Sequence, residues 1–238
     1  YYFYVFGAFV ALSLWLPQYL INVYGLDIKA AGMIAAFFSV PASIFRAYGG
    51  RLSDTYGARR VLYWTFFVSV AATFFLSYPP TDYVVHGANG QTASFHIEMT
   101  LVPFIVTIFV LGFFMALGKA AVYKHIPVYY PDHVGSVGGL VGMIGGLGGF
   151  LLPILSGLLL DLTGLWTSCF MALFALVSGA LIWMHVAIRQ MERGVAEEAL
   201  SRLPPFPEMQ GMPQPVLAVR ASRAVLTDWR PEDPAFWR

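Results

Sequence analysis

The sequence predicts an all-α protein, a polytopic membrane bundle of six transmembrane helices. Three observations lead there. Of 238 residues, 58% are hydrophobic and only 11% are charged, whereas a soluble domain carries about 25% charged residues. Six separate stretches of the chain reach the roughly 20 apolar residues that a bilayer crossing needs. Clusters of Gly, Pro, Asp and Asn punctuate the chain between them, as turns require. Lipid covers a surface this poor in charge, and helices satisfy their own backbone groups there.

The spans fall at about 1–24, 30–50, 61–78, 99–126, 134–159 and 165–187. Asp27 and Lys29 mark a tight turn after the first. Residues 51–60 form a short basic loop after the second. Residues 79–98 form a longer polar loop holding Pro79, Pro80, Asp82, Asn89 and Gly90. The fourth span is bent or ended by Pro127 and Pro131. Asp132 and His133 mark the next turn, and Asp161 to Gly164 the last. The membrane bundle is thus expected over 1–188. A Pro-rich tail follows over 189–238, helical from 189 to 203 and loosely ordered beyond, with Pro204, Pro205, Pro207, Pro213, Pro215, Pro231 and Pro234 breaking any long helix.

Several classes are excluded. One cysteine, Cys169, provides neither a disulfide framework nor a metal cluster. A net charge of +1 gives no field for nucleic acid. No cofactor or metal is expected. The chain opens on Tyr1 inside an apolar run, which reads as a fragment of a longer protein. Arg51, Arg59, Arg60, Arg189 and Arg193 fall on one set of alternate connections, and only Lys29 on the other. The positive-inside rule therefore puts loop 51–60, the tail and both chain ends in the cytoplasm.

The second connection runs Gly50-Arg51-Leu52-Ser53-Asp54-Thr55-Tyr56-Gly57-Ala58-Arg59-Arg60. On the residues alone, Gly50 allows close helix approach, Asp54 is placed to cap the next helix and pair with Arg59 or Arg60, and Gly57 supplies a sharp turn. An ordinary basic loop has the same ingredients. The order Gly, Asp, Gly, basic pair resembles the loop motif of the major facilitator superfamily, found there between helices two and three of each half. The resemblance implies that six helices make one half of such a fold, built as two three-helix inverted repeats.

Three basic residues lie within spans: Arg46, Lys119 and Lys124. Each costs about 2.5–3.5 kcal/mol at mid-helix on insertion scales. Asp54, Glu98, Asp132 and Asp161 all fall at span ends. Uncompensated positive charge beside a water-filled path favours an anion. Ser39, Ala42, Ser43, Gly49, Gly50 and Ser53 lie on or beside the Arg46 face, so Arg46 is expected to point into the bundle; snorkelling to the interface is the competing reading. Lys119 faces the same choice. Lys124, near His125, reads as an interfacial anchor.

The fifth span is a glycine helix. Gly135, Gly138, Gly142, Gly145 and Gly149 draw a bare stripe at three- and four-residue steps, widened by Gly139 and Gly146. Each glycine costs about 1 kcal/mol of helix propensity relative to alanine in water. Close packing, a moving contact or backbone laid beside a small substrate would compensate. The run Gly142-Met143-Ile144-Gly145-Gly146-Leu147-Gly148-Gly149-Phe150-Leu151-Leu152-Pro153 is similar to a signature of the nitrate/nitrite porter (NarK-type) family. The segment from Gly118 to Pro131, with Lys119 and Tyr123, also resembles that family, notably its proton-coupled branch.

This second resemblance covers about residues 1–187 and implies the C-terminal half, helices seven to twelve, of a bacterial inner-membrane transporter. It further implies nitrate or nitrite as substrate, protons as a possible partner, an absent N-terminal half, and Arg46 as the anion-binding arginine. Tyr2 and Phe6 match the family's pocket pair, and Gly142, Gly145, Gly146 and Gly149 its glycine signature; Lys119 and Tyr123 join the candidates. Gly50, Asp54, Gly57, Arg59 and Arg60 match the loop motif. Arginine suits a flat oxyanion because its planar fork donates paired hydrogen bonds. Transport of another anion, such as a carboxylate or phosphate, is the alternative. An intramembrane hydrolase built on Ser136 and His133 leaves Arg46 and the glycine stripe unexplained, so no enzyme activity is expected. A sensor role for the tail, through Trp229, Phe236 and Trp237, is the third class.

Overall fold

In hydrocarbon, backbone N–H and C=O groups find partners only within the chain, and all six apolar stretches form helices. The computed structural model describes residues 1–86 and 92–201, with side chains to residue 197. A π-helical segment, Phe3–Ala8, runs into α1 (Phe9–Tyr24). Then come α2 (Ile28–Tyr56), α3 (Ala58–Leu76), a hairpin of β1 (Thr81–His86) and β2 (Thr92–Ile97), α4 (Leu101–Tyr129), a 3-10 turn at Pro131–His133, α5 (Val134–Thr163) and α6 (Ser168–Ser201). Among the described residues, six helices are long and apolar enough to cross a membrane. Tyr1–Leu181 form one compact unit, and a second begins at Ile182 within α6. The tail residues Pro204 to Trp237 lie outside the described residues.

Packing centres on α4, which lies against both α2 and α3. Small residues set the spacing. A Cβ on Gly49 would stand 2.8 Å from the Leu117 Cα, and one on Gly112 would stand 2.7 Å from the Phe38 ring. A Cβ on Gly118 would stand 2.7 Å from Thr65 Cγ2 and 2.9 Å from Val5 Cγ1. Thr65 Oγ1 donates to the Phe114 carbonyl at 3.1 Å, tying α3 to α4. Membrane helices gain contact in this way, through backbone approach rather than water exclusion.

The expected loop at 51–60 is helical instead, apart from one residue. At 29 residues, α2 is about 44 Å long, well beyond the ~30 Å hydrocarbon core. No breaker interrupts it between Pro41 and Gly57. Ser53 Oγ donates to the Gly49 carbonyl at 2.8 Å and Thr55 Oγ1 to that of Arg51 at 3.1 Å. Gly57 alone separates α2 from α3, with φ +86° and ψ 135°, a backbone state that L side chains rarely adopt. Asp27 is less a turn marker than a cap: its carboxylate accepts from the Ala30 N–H at 3.4 Å, and Lys29 lies inside α2. Pro127 sits within the last turn of α4 and Pro131 opens the 3-10 turn.

The expected polar loop at 79–98 contains the hairpin. Turn formers dominate a reading of that stretch, yet Tyr83, Val84, Val85, Phe95 and Ile97 favour a pleated pair. The register pairs Asp82 with His96 and Tyr83 with Phe95. The Tyr83 and Phe95 rings stack at 5.2 Å. His96 Nδ1 meets Asp82 Oδ1 at 2.6 Å and its Nε2 meets Glu98 Oε2 at 3.3 Å. These hydrogen bonds, Asp82 first and Glu98 second, raise the His96 pKa above its ordinary value. Asn89 and Gly90 lie outside the described residues.

Candidate functional site

The side of α2 that packs consists of Ala31, Ala35, Phe38, Ala42, Gly49 and Ser53, all buried. Arg46 stands beside that row and is exposed. It therefore does not enter the α2–α4 packing, as the small residues around it suggest, nor does it lie isolated at the surface. Its guanidinium carbon is 5.6 Å from the centroid of the Tyr123 ring, and the Tyr2 hydroxyl is within its electrostatic reach. Ser39 and Ser43 turn their hydroxyls back onto the α2 backbone, at 2.6 Å from the Ala35 carbonyl and 2.9 Å from that of Ser39.

Aromatic rings build the rest of the wall. Tyr2 stacks on Phe6 at 5.2 Å, nearly parallel, and meets Tyr123 edge-on at 5.0 Å. The glycines of α5 are what allow those rings to lie so close. A Cβ on Gly145 would be 2.5 Å from Tyr2 Cδ1 and 3.0 Å from Phe6 Cδ1. One on Gly142 would be 3.3 Å from the Tyr123 hydroxyl, which itself donates to the Gly138 carbonyl at 3.4 Å. The structure thus brings together Arg46, Tyr2, Phe6, Tyr123, Gly142 and Gly145.

Other expected residues fall elsewhere. Nothing lies within 4 Å of a Cβ on Gly146, Gly139 or Gly135. At about 100° per residue Gly139 and Gly146 turn off the face that carries Gly138, Gly142 and Gly145, while Gly135 keeps to that face in the first turn of α5. Gly149 packs against Val10, with its Cβ position 3.1 Å from Val10 Cγ1. Lys119 is 4% exposed, with Nζ 3.1 Å from the centroid of the Phe9 ring, which in turn stacks on Phe38 at 5.0 Å. It is buried rather than snorkelled. Two glycines that the sequence reading left out of the stripe, Gly7 and Gly148, form the tightest crossing. A Cβ on Gly148 would be 2.7 Å from the Phe3 carbonyl oxygen and 3.1 Å from the Gly7 Cα. The available signal was their spacing: Gly148 follows Gly145 by three residues, and Gly7 follows Phe3 by four.

The loop-motif residues fasten the α2–α3 corner to the end of α4. Asp54 does not cap α3, whose first turn has no side-chain cap at Gly57. Its carboxylate pairs instead with Lys124 Nζ at 2.5 Å, so Lys124 is a cross-link rather than a free interfacial anchor. Arg59 Nη2 donates to the Tyr129 hydroxyl at 3.5 Å. Gly50 has open space around it, and Gly49 is the residue that admits α4. A cavity of about 540 Å³ lies at the other ends of the helices, between Tyr24, Glu98 and Trp166. It involves none of Arg46, Tyr2 or Tyr123.

The candidate site is cationic. His96 pairs with Asp82 and Glu98, and Lys124 with Asp54; neither Arg46 nor Lys119 belongs to these pairs. Such a surface can attract a small anion, hold its plane against Tyr2 and Tyr123, and admit it close to glycine backbone.

The Major Facilitator Superfamily profile matches residues 1–231. The probable nitrate/nitrite antiporter NarK1 of Thermus thermophilus is 45% identical over 191 residues, 80% of this chain and 43% of the relative. The nitrite extrusion protein of Bacillus subtilis (strain 168) is 32% identical over 188 residues, 78% of this chain and 43% of the relative. The chain therefore spans less than half the length of these curated relatives. Among solved structures, the xylose transporter XylE from E. coli, in its inward-open conformation, matches with a TM-score of 0.60 at 14% identity. The match covers 95% of this chain and 54% of XylE, a likeness of fold alone. Six helices long and apolar enough to cross a membrane and the profile match agree: the chain belongs to the Major Facilitator Superfamily.

Proposed function

We propose that this chain forms one half of a secondary transporter for nitrate or nitrite, working by alternating access with a second six-helix half. The supporting observation is Arg46: an exposed guanidinium beside Tyr123 and Tyr2, in an apolar helix, outside every described ion pair. Its exposure on a half-bundle fits a surface that meets the other half across a shared cavity. The bound anion would receive paired donors from Arg46, with Tyr2, Phe6 and Tyr123 excluding water and Gly142 and Gly145 keeping the α5 side open. Relatives named for nitrate and nitrite transport support the choice of anion. The bias of Arg towards one set of connections supports an orientation with both ends in the cytoplasm, and the bacterial sources of the relatives support a bacterial cytoplasmic membrane.

Proteoliposomes holding the transporter with both halves test the reading. Labelled nitrate should enter and be displaced by nitrite and chlorate, not by small carboxylates or phosphate. Arg46→Lys removes the planar fork while keeping the charge. A lost charge-assisted hydrogen bond is worth about 1.5–3 kcal/mol, or about tenfold to a hundredfold in affinity. Nitrate uptake by Arg46→Lys at the wild-type rate and affinity would remove Arg46 from the site. Displacement by carboxylates alone would assign a different anion.

A further inference from the structure

We infer that Lys119 is the proton-carrying group of this transporter, gaining its proton when the anion binds beside Arg46 and releasing it when the anion leaves. The inference rests on the anion reading above and names its coupling partner.

Lys119 is the one charged side chain among the buried residues described; the other buried polar side chains are serines and threonines. The groups around it offer no compensating negative charge. From α1 comes the face of Phe9, with Nζ at 3.1 Å from the ring centroid. From α2 comes Arg46, a like charge whose field reaches it. Beside the neighbouring Gly118, α3 places the uncharged Thr65. Its own helix adds Tyr123 one turn on. No carboxylate is among them. Asp54, Asp82 and Glu98 are committed to Lys124 and His96.

Lys119 is therefore a buried cation within the field of a second, Arg46, with only a ring face to offset it. Arginine keeps its proton under all working conditions, while a lysine ammonium can give one up. So Lys119 is the member of the pair able to change charge. An arriving monoanion supplies the negative charge that the region lacks. By linkage, it strengthens proton binding by the same factor by which the proton strengthens anion binding. The balance is simple: the neutral amine, one proton and one anion become an ammonium beside a bound anion. Discharge on the other side reverses the step, and one proton accompanies each anion.

The test uses the transporter with both halves in proteoliposomes, nitrate as the probe and a pH dye in the lumen. In the wild type, an inward nitrate gradient should acidify the lumen. Lys119→Arg keeps the charge and cannot release a proton, so acidification should fall by about tenfold or more while nitrate–nitrate counterflow, which needs no net proton movement, remains measurable. Lys119→His retains a titratable group of lower range, and its pH profile of net uptake should shift to more acid values. Wild-type nitrate entry without acidification, unchanged acidification in Lys119→Arg, or an unshifted profile in Lys119→His would each overturn the assignment and leave the anion reading standing. A wild type that moves nitrate in neither assay overturns the anion reading, and the assignment falls with it.

Discussion

Replacing Gly148 by alanine inserts a methyl group where two backbones cross. The new Cβ would stand 2.7 Å from the Phe3 carbonyl oxygen and 3.1 Å from the Gly7 Cα. Neither neighbour is the end of a flexible side chain, so relief requires the N-terminal segment and α5 to separate by several tenths of an ångström. Overpacking of this kind costs about 1–3 kcal/mol. Against it stands the helix-propensity gain of alanine over glycine, about 1 kcal/mol in water. Packing should win, with a net loss of up to ~2 kcal/mol. At roughly 2–4 °C per kcal/mol for a unit of this size, the unfolding midpoint of the detergent-purified protein should fall by several degrees. Gly146→Ala is the internal control, because nothing lies within 4 Å of its Cβ position. That variant should unfold at or slightly above the wild-type midpoint. Equal shifts in the two variants, or a more stable Gly148→Ala, would refute the claim that the glycine helix is specified by contact on one face.

Three further outcomes are expected. Gly57→Ala should cost about 1–3 kcal/mol, read as a lower thermal midpoint, because φ +86° strains any residue with a Cβ. A double-mutant cycle on Asp54→Asn and Lys124→Met should give a coupling of no more than ~1 kcal/mol, since the two side chains are 61% and 45% exposed. For His96, whose pKa is raised by Asp82 and Glu98, the clamp on the hairpin should be fully present below the ordinary histidine value of about 6.5 and lost as pH rises through the raised one. NMR titration of His96 should show a midpoint above the ordinary value that Asp82→Asn brings down.

What could be read from the residues follows from the range over which each signal acts. Six apolar runs fix six helices because lipid leaves the backbone no alternative. Helix ends are less legible. Ser53 and Thr55 bond back onto α2 and carry it to Tyr56, and a count of charges between 51 and 60 does not register that. The hairpin was hidden because Pro79, Asp82 and Asn89 speak for a loop while the pairing of Tyr83 with Phe95 joins residues twelve apart. At the site, the meeting of Arg46, Tyr2 and Tyr123 was suggested only by family resemblance, since three separate helical segments supply it. Helical periodicity could assign Gly142 and Gly145 to one face; which ring fills each gap depends on neighbours it does not name. Asp54 found Lys124 rather than the adjacent arginines because α2 continues past the membrane core and carries the carboxylate to α4.

Arg46 lies between two points where α2 is seated directly on α4, Phe38 against Gly112 and Gly49 against Leu117. Such seating prevents α2 from rolling like a rod on a bearing. To change the 5.6 Å between the guanidinium and Tyr123, the chain would have to prise apart backbone atoms at both seats. The cation and its aromatic neighbour therefore behave as a fixed gauge, and the anion-facing wall can only be carried along whole, as cargo on a rigid block.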